Sequence, residues 1–273
     1  MLEKSQRLVL SDAAEQEAED FPLIKAPGRS LLSRSAILWH LREGNIVIRP
    51  CDERDIKTVS VDVRLGPWYF RQQSDKDGRQ FVNPFSKADI DRYWGKTQFA
   101  RRADEWMTAN GRLENIRADD HLIVLGPHET ILAHIREFIG GRNCVTTEMR
   151  ARSTMGRVGI TVCKCAGWGD LGYVNRWTME MTNHGDLAIV MVVGMRVAQI
   201  PFYQVDPIAS RMSYASGGGK YQASDDLDEI IRNWQPEAML PQMHKDRELI
   251  DGFPRLEDCD VQLAQTRALL PIR

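Results

Sequence analysis

Between His121 and Gln204 the chain is divided into short apolar runs of strand length, and this rhythm limits its fold more than any other feature. The runs are His121–Leu125, Thr130–Ile135, Val158–Cys165, Thr178–Asn183, Ala188–Val193 and Val197–Gln204. Turn residues separate them: Gly126-Pro127, Gly140-Gly141, Asn183-His184-Gly185 and Gly194. Short strands at even spacing predict a mainly β fold, a distorted jelly roll or β-barrel. Upstream, Val59–Leu65 alternates, with Val59, Val61, Val63 and Leu65 on one face and Ser60, Asp62 and Arg64 on the other. Asn45–Arg49 reads as a strand. Ser35–Arg42 reads as a helix with Ile37, Leu38 and Leu41 as its apolar stripe and Gly44 as its stop.

The rhythm is interrupted in four places. Residues 1–30 are expected to form an N-terminal arm ending near Pro27-Gly28. Residues 70–118 read as an insertion, polar over Gln72–Gly78 and partly helical over Ala88–Asn110. Ser213–Ser224, with Gly217-Gly218-Gly219, is expected to be flexible. A 225–273 extension follows, helical over Asp226–Trp234 and then irregular. The catalytic domain is therefore expected over 31–224.

A net charge of −2 gives no whole-protein basic surface for nucleic acid. No apolar run approaches the ~20 residues of a membrane span. Met1–Asp20 lacks the apolar core of a signal peptide, so a cytoplasmic protein is expected. The five cysteines, Cys51, Cys144, Cys163, Cys165 and Cys259, are too sparse for a disulfide framework. Cys163 and Cys165, two apart in a β-patterned stretch, are read as buried thiols rather than metal ligands.

Chemistry concentrates in Arg150–Gln199. Its opening, R-A-R-S-T-M-G-R-V-G-I-T-V, places Arg152, Ser153, Thr154, Gly156 and Arg157 between two β segments. Arginines grip phosphate oxygens in pairs, hydroxyls add donors and glycine admits the backbone, so such a loop can surround a triphosphate. A solvated basic turn would have the same composition. Ala166–Tyr173 (A-G-W-G-D-L-G-Y) is a turn-rich loop with one carboxylate, Asp170. In Trp177–Asn183 (W-T-M-E-M-T-N), Thr178, Glu180 and Thr182 share one strand face, opposite Trp177, Met179 and Met181. On spacing alone, a mid-strand Glu faces solvent.

Order and spacing change that reading. R-S-T-M-G-R is followed by Ala166 nine residues beyond Arg157, and Glu180 lies fourteen further on. This pattern resembles the dCTP deaminase family of the trimeric dUTPase-like superfamily. T-V-S-V-D-V-R-L-G (58–66), T-I-L-A-H-I-R-E (130–137) and N-H-G-D-L-A-I-V-M-V-V-G-M-R-V-A-Q-I-P-F (183–202) add to the likeness, as do Tyr214 and G-K-Y-Q at 219–222.

The resemblance implies a dUTPase-like fold and hydrolytic deamination of dCTP to dUTP and ammonia. Glu180 would be the catalytic base, with Arg157 and Ser153 completing the site. Arg152, Ser153 and Thr154 would contact phosphates, with Met155 and Gly156 in the same binding segment. The backbone around Ala166, with Thr178 and Met179, would meet the pyrimidine, and Asp170 the sugar 3′-hydroxyl. Tyr214, Lys220 and Ser224 would belong to a C-terminal lid. It further implies magnesium with the triphosphate and a homotrimer with active sites between subunits.

In dUTPases the catalytic carboxylate is the Asp of A-G-x-x-D, here Asp170, and the Glu180 position is usually apolar; this chain carries both. A bifunctional enzyme releasing dUMP and pyrophosphate, a dUTPase, and a non-catalytic nucleotide sensor are the alternatives. A zinc-hydroxide deaminase carries H-x-E and P-C-x-x-C, and neither occurs here, so no zinc is expected. The chain departs from the family in Thr154 for Ser, in Gly169-Asp170-Leu171-Gly172 for I-D-P-G, and in Ser224 where a nucleotide-contacting Gln is common.

Overall fold

The computed structural model describes residues 11–19, 31–73, 80–206 and 213–255. Cys259, the Pro27-Gly28 end of the arm, most of Gln72–Gly78 and the chain beyond Arg255 lie outside the described residues.

Helix α1 (Asp12–Glu19) lies against α2 (Arg34–Arg42). The Ser33 hydroxyl caps α2 by accepting from the Ala36 amide, and the expected stripe buries Ile37 and Leu38 with Leu41 at its margin. Strand β1 (Ile46–Arg49) follows, then β2 (Val61–Arg71). The 70–118 stretch holds α3 (Lys87–Trp94), β3 (Gln98–Phe99), β4 (Arg101–Arg102) and α4 (Ala103–Asn110). The β region then runs through β5 (His121–Leu125), β6 (Thr130–Ile135), β7 (Phe138–Gly141), β8 (Val145–Glu148), β9 (Arg150–Ala151), α5 (Ser153–Arg157), β10 (Ile160–Thr161), β11 (Trp168–Gly169), β12 (Val174–Asn175), β13 (Thr178–Asn183), β14 (Ile189–Val192), β15 (Arg196–Ile200) and β16 (Phe202–Gln204). Helices α6 (Leu227–Asn233) and α7 (Glu248–Asp251) belong to the C-terminal extension.

The fold is mainly β, as the rhythm predicts. The largest sheet runs β10-β13-β6-β2-β15-β9, with β3 also on β2. Three three-stranded sheets, β1-β7-β12, β11-β8-β16 and β14-β5-β4, complete the β structure. Val63, Leu65, Ile131, Met179, Met181 and Phe202 are fully buried in the main core.

Several sequence expectations are corrected. Strand β2 begins at Val61 and runs on to Arg71, leaving Val59 42% exposed. Asp62, expected on a polar outer face, is 4% exposed, because Arg196 at 2.8 Å and Arg152 at 3.6 Å neutralise it. Val158–Cys165 is a strand only at Ile160–Thr161; the chain bends after it, so Cys163 is half-buried and Cys165 exposed rather than both buried. R-S-T-M-G-R is a turn of helix, α5, not an open loop. Val197–Gln204 is two strands broken at Pro201, which has no amide to give a ladder. Gly140-Gly141 is no turn but the end of β7: Cβ atoms there would collide with the Tyr173 and Val145 carbonyls, so only glycine lets these strands close up.

Strand β6 is buried along its whole length, which a half-exposed sheet does not allow. Ile131, Ala133 and Ile135 face the main core, while Leu132 and His134 face the other way. Leu132 is in register with Phe70 on β2 and with Glu180 on β13, so the three form one row across the sheet. Apolar surface on that outer face must be covered. Ile90 and Trp94 of the 70–118 stretch and Met239 and Leu240 near the C-terminal end pack on Phe70 and Leu132 as a second core. Segments far apart in sequence thus close over the edge of the sheet that carries Glu180.

His134 is fully buried, its Nδ1–H donating to the Ile135 carbonyl at 2.7 Å. Burial lowers its pKa from 6.5 to about 4. Above 6.5 the ring is neutral in folded and unfolded states alike. Between the two values only the unfolded state takes up the proton, so acidification favours unfolding. Stability is expected to fall by about 2 kcal/mol from pH ~7 to pH ~5 through this one group. Urea denaturation at both pH values, with His134→Gln removing that part of the loss, checks it.

Candidate active site

Glu180 sits mid-strand on β13, where strict alternation sends Met179 and Met181 inward and turns Thr178 and Glu180 to the outer face. Its Oε2 accepts a long hydrogen bond, 3.4 Å, from the Lys164 amide, and among the described residues no cationic side chain pairs with it. Glu180 opens into a cavity of about 390 Å³ that also exposes Ala166, Asp170, Thr178 and Tyr214. The rest of its wall is apolar or aromatic, with Trp94, Leu132, Trp168, Tyr173, Trp177, Tyr221, Met239 and Pro241. A second cavity of about 590 Å³ is lined by Thr146, Leu171, Ser213, Gly217, Gly218, Gly219 and Lys220. Asp170, Trp168 and Tyr214 line both, so Asp170 stands between the Glu180 chamber and a wider one.

Local structure fixes the Asp170 loop. A Cβ on Gly169 would run into Thr147 and the Trp177 ring, so the chain passes there only without one. The Gly169 carbonyl accepts from Thr146 Oγ1 at 2.6 Å, and the Tyr173 amide donates to the Asp170 carbonyl at 3.0 Å. Gly172, at φ +86°, makes the left-handed turn that closes the loop.

The expected lid is tied to its own chain. Gln222 is buried, its Nε2 donating to the Gly172 carbonyl at 2.9 Å and its Oε1 accepting from the Val174 amide at 2.8 Å. Asn175 Nδ2 donates to the Tyr221 carbonyl at 2.9 Å. The Tyr214 ring lies edge-on to Tyr173, centroids 4.9 Å apart, and burial raises both phenols above the usual range. Lys220 is held by Asp246 of the extension, and that hydrogen bond raises its pKa. Ser224 lines neither cavity; its hydroxyl donates to Glu229 at 2.6 Å.

The structure therefore gathers Glu180, Ala166, Asp170, Thr178, Tyr214 and Lys220 and leaves the phosphate segment elsewhere. None of Arg152, Ser153, Thr154, Met155, Gly156 or Arg157 lines either cavity. Ser153, Thr154, Gly156 and Arg157 are exposed, whereas the Met155 side chain is buried in the core, as is that of Met179. Among the described lining residues Lys220 is the one cation, beside two carboxylates. Sequence reasoning missed Trp94, Leu132, Trp168, Tyr221, Met239 and Pro241. For Leu132 there was a signal, since T-I-L-A-H-I is too apolar for a strand with one wet face. For Trp94 and Met239 there was none, because they reach the site only through tertiary packing.

Among the described residues no group of three His, Cys, Asp or Glu side chains is arranged to hold a metal ion. No described helix is long and apolar enough to cross a membrane.

Known proteins resemble this chain in sequence. The dCTP deaminase of Natronomonas pharaonis is 28% identical over 194 residues, covering 70% of this chain and 89% of that protein. The dUMP-forming dCTP deaminase of Methanopyrus kandleri is 30% identical over 202 residues, covering 72% of this chain and 92% of its own. A solved structure of 2′-deoxycytidine 5′-triphosphate deaminase from Agrobacterium tumefaciens overlays 65% of this chain on about half, 49%, of its own, at 16% identity and a TM-score of 0.45. A dCTP deaminase-like family model matches residues 31–205, a span that holds Glu180, Asp170 and the arginine segment, and the chain belongs to that family.

Proposed function

We propose that the protein hydrolyses the 4-amino group of dCTP, giving dUTP and ammonia, with Glu180 as the general base. The observation that carries this is a carboxylate projecting from a rigid mid-strand position into a chamber that admits the base, beside Ala166, Thr178 and Asp170. With C4 of the base at Glu180, the carboxylate takes a proton from water and the oxygen attacks C4. That proton passes to the 4-amino nitrogen, the C–N bond breaks and ammonia leaves, and the remaining hydroxyl proton moves to N3 as the C4 carbonyl forms. Asp170, between the chambers, holds the sugar hydroxyl. Aromatic side chains wall the base and lower the local polarity, which strengthens the electrostatics at the tetrahedral centre.

The wider chamber needs more positive charge than Lys220 supplies. Exposed Arg157, which pairs with no carboxylate among the described residues, is with Ser153 and Thr154 on α5 the complement it lacks, and a neighbouring subunit of a homotrimer would bring it. Arg152 sits with them, steadied by Asp62. Magnesium would ride on the triphosphate: it keeps most of its waters and needs no protein cage, which fits a chain with no three-ligand cluster among its described residues. When bound, it would neutralise phosphate charge. Placement in the cytoplasm goes with this reading.

A second reading is favoured by the wide chamber beside Asp170 and by the dUMP-forming relative: further hydrolysis of the α-phosphate to dUMP and pyrophosphate. Incubation with dCTP and magnesium, with chromatography of the nucleotides, separates the two. We expect dUTP with one ammonia per dCTP, and activity that survives removal of zinc by a selective chelator. Stoichiometric pyrophosphate with no dUTP establishes the second reading; absence of ammonia ends both.

A further inference from the structure

We propose that the wall built by the insertion and the C-terminal extension makes the base chamber a site for cytosine nucleotides carrying an apolar group at C5. The inference rests on deamination at Glu180 and names its substrate class more closely.

A cytosine has four sides to place. N1 carries the sugar, which goes to Asp170, and C4 faces Glu180. The O2/N3 edge is polar and needs hydrogen-bonding partners, and Ala166 and Thr178 line the chamber beside Glu180. What remains is the C5–C6 edge. For that edge the chamber offers, besides its other aromatic side chains, four apolar ones, Trp94, Leu132, Met239 and Pro241.

Three of these four, Trp94, Leu132 and Met239, belong to the second core, so the wall is anchored rather than a loose side chain at a mouth. Leu132 is the cross-strand partner of Glu180, which puts the apolar surface immediately beside the carboxylate that must meet C4. C5 is the ring atom bonded to C4. A substituent there lies against this wall, whereas an unsubstituted ring leaves it unfilled.

The size agrees. A cavity of about 390 Å³ has room for a dozen or so waters at ~30 Å³ each, more than a pyrimidine of eight heavy atoms fills, and the triphosphate has its own chamber. Unfilled apolar space beside a ligand is forfeited burial, and each added methyl group recovers part of it. For 5-methyl-dCTP the reaction balances as before: water adds at C4, the C–N bond breaks, ammonia leaves, and the product is the 5-methyluracil nucleotide.

The test compares kcat/KM of the full chain for dCTP, 5-methyl-dCTP and 5-propynyl-dCTP. We expect a rising order, with the methyl compound about fourfold above dCTP, the value of one buried methyl group. Met239→Gln keeps the length of the side chain but makes the wall polar, and the ratio of 5-methyl-dCTP to dCTP should fall to about one or below. The wild-type comparison stands even if that variant fails to fold. A falling order in the wild type, with dCTP best and the propynyl compound excluded, overturns the inference while leaving deamination intact. No ammonia from any of the three overturns the deaminase reading itself.

Discussion

Glu180→Gln is expected to lower ammonia release from dCTP by about a thousandfold, in the range set by a single general base that both takes and returns a proton. Glutamine keeps the length and shape of the side chain but cannot accept the water proton. The fold should not notice. Glu180 is half-exposed on the outer face of β13, makes one long hydrogen bond to the Lys164 amide, and its inward neighbours Met179 and Met181 are untouched. Nucleotide binding should persist, because Asp170, Tyr214 and Lys220 line the chambers independently of it. Single-turnover ammonia release, with a binding isotherm and a urea midpoint for the same variant, reads all three. Turnover within tenfold of wild type would remove Glu180 from the mechanism.

Arg157→Ala is expected to be nearly as damaging, and to be rescued by Glu180→Gln in mixed assemblies. Alone, each variant lacks one half of every site. If a site draws Glu180 from one subunit and Arg157 from the next, random mixing gives about a quarter of the sites both intact groups. Co-expressed variants should then recover about a quarter of wild-type activity, whereas variants purified separately and mixed without subunit exchange should not. The motive is geometric: Arg157 is exposed, and none of the 152–157 segment reaches the cavities of its own chain. Failure of the mixture to recover activity, with the assembly confirmed as trimeric by light scattering, would place Arg157 in the same subunit's site or outside it altogether.

How much of this could be read beforehand depends on how local the signal is. Strands β5, β6 and β13 lie where short apolar or alternating runs between turn residues put them, because such runs declare themselves within a few residues. Glu180 and Asp170 were found by the spacing of motifs along a contiguous stretch. Strand β7 was mistaken for a turn because its glycines report a close approach by Tyr173 and Val145, chain segments that are near only after folding. The Val158–Cys165 run is apolar enough for a strand, yet after Thr161 the chain turns away to bring Lys164 to Glu180.

The sequence by itself determined the β class, the order of the chemical groups and the face on which Glu180 stands, since these rest on period-two alternation and short-range spacing. Only the tertiary structure decided what encloses the site. Phe70, Trp94, Leu132 and Met239 share no period and no motif; they meet because an apolar outer face on β6 and β2 must be removed from water, and the insertion and extension are the segments that cover it.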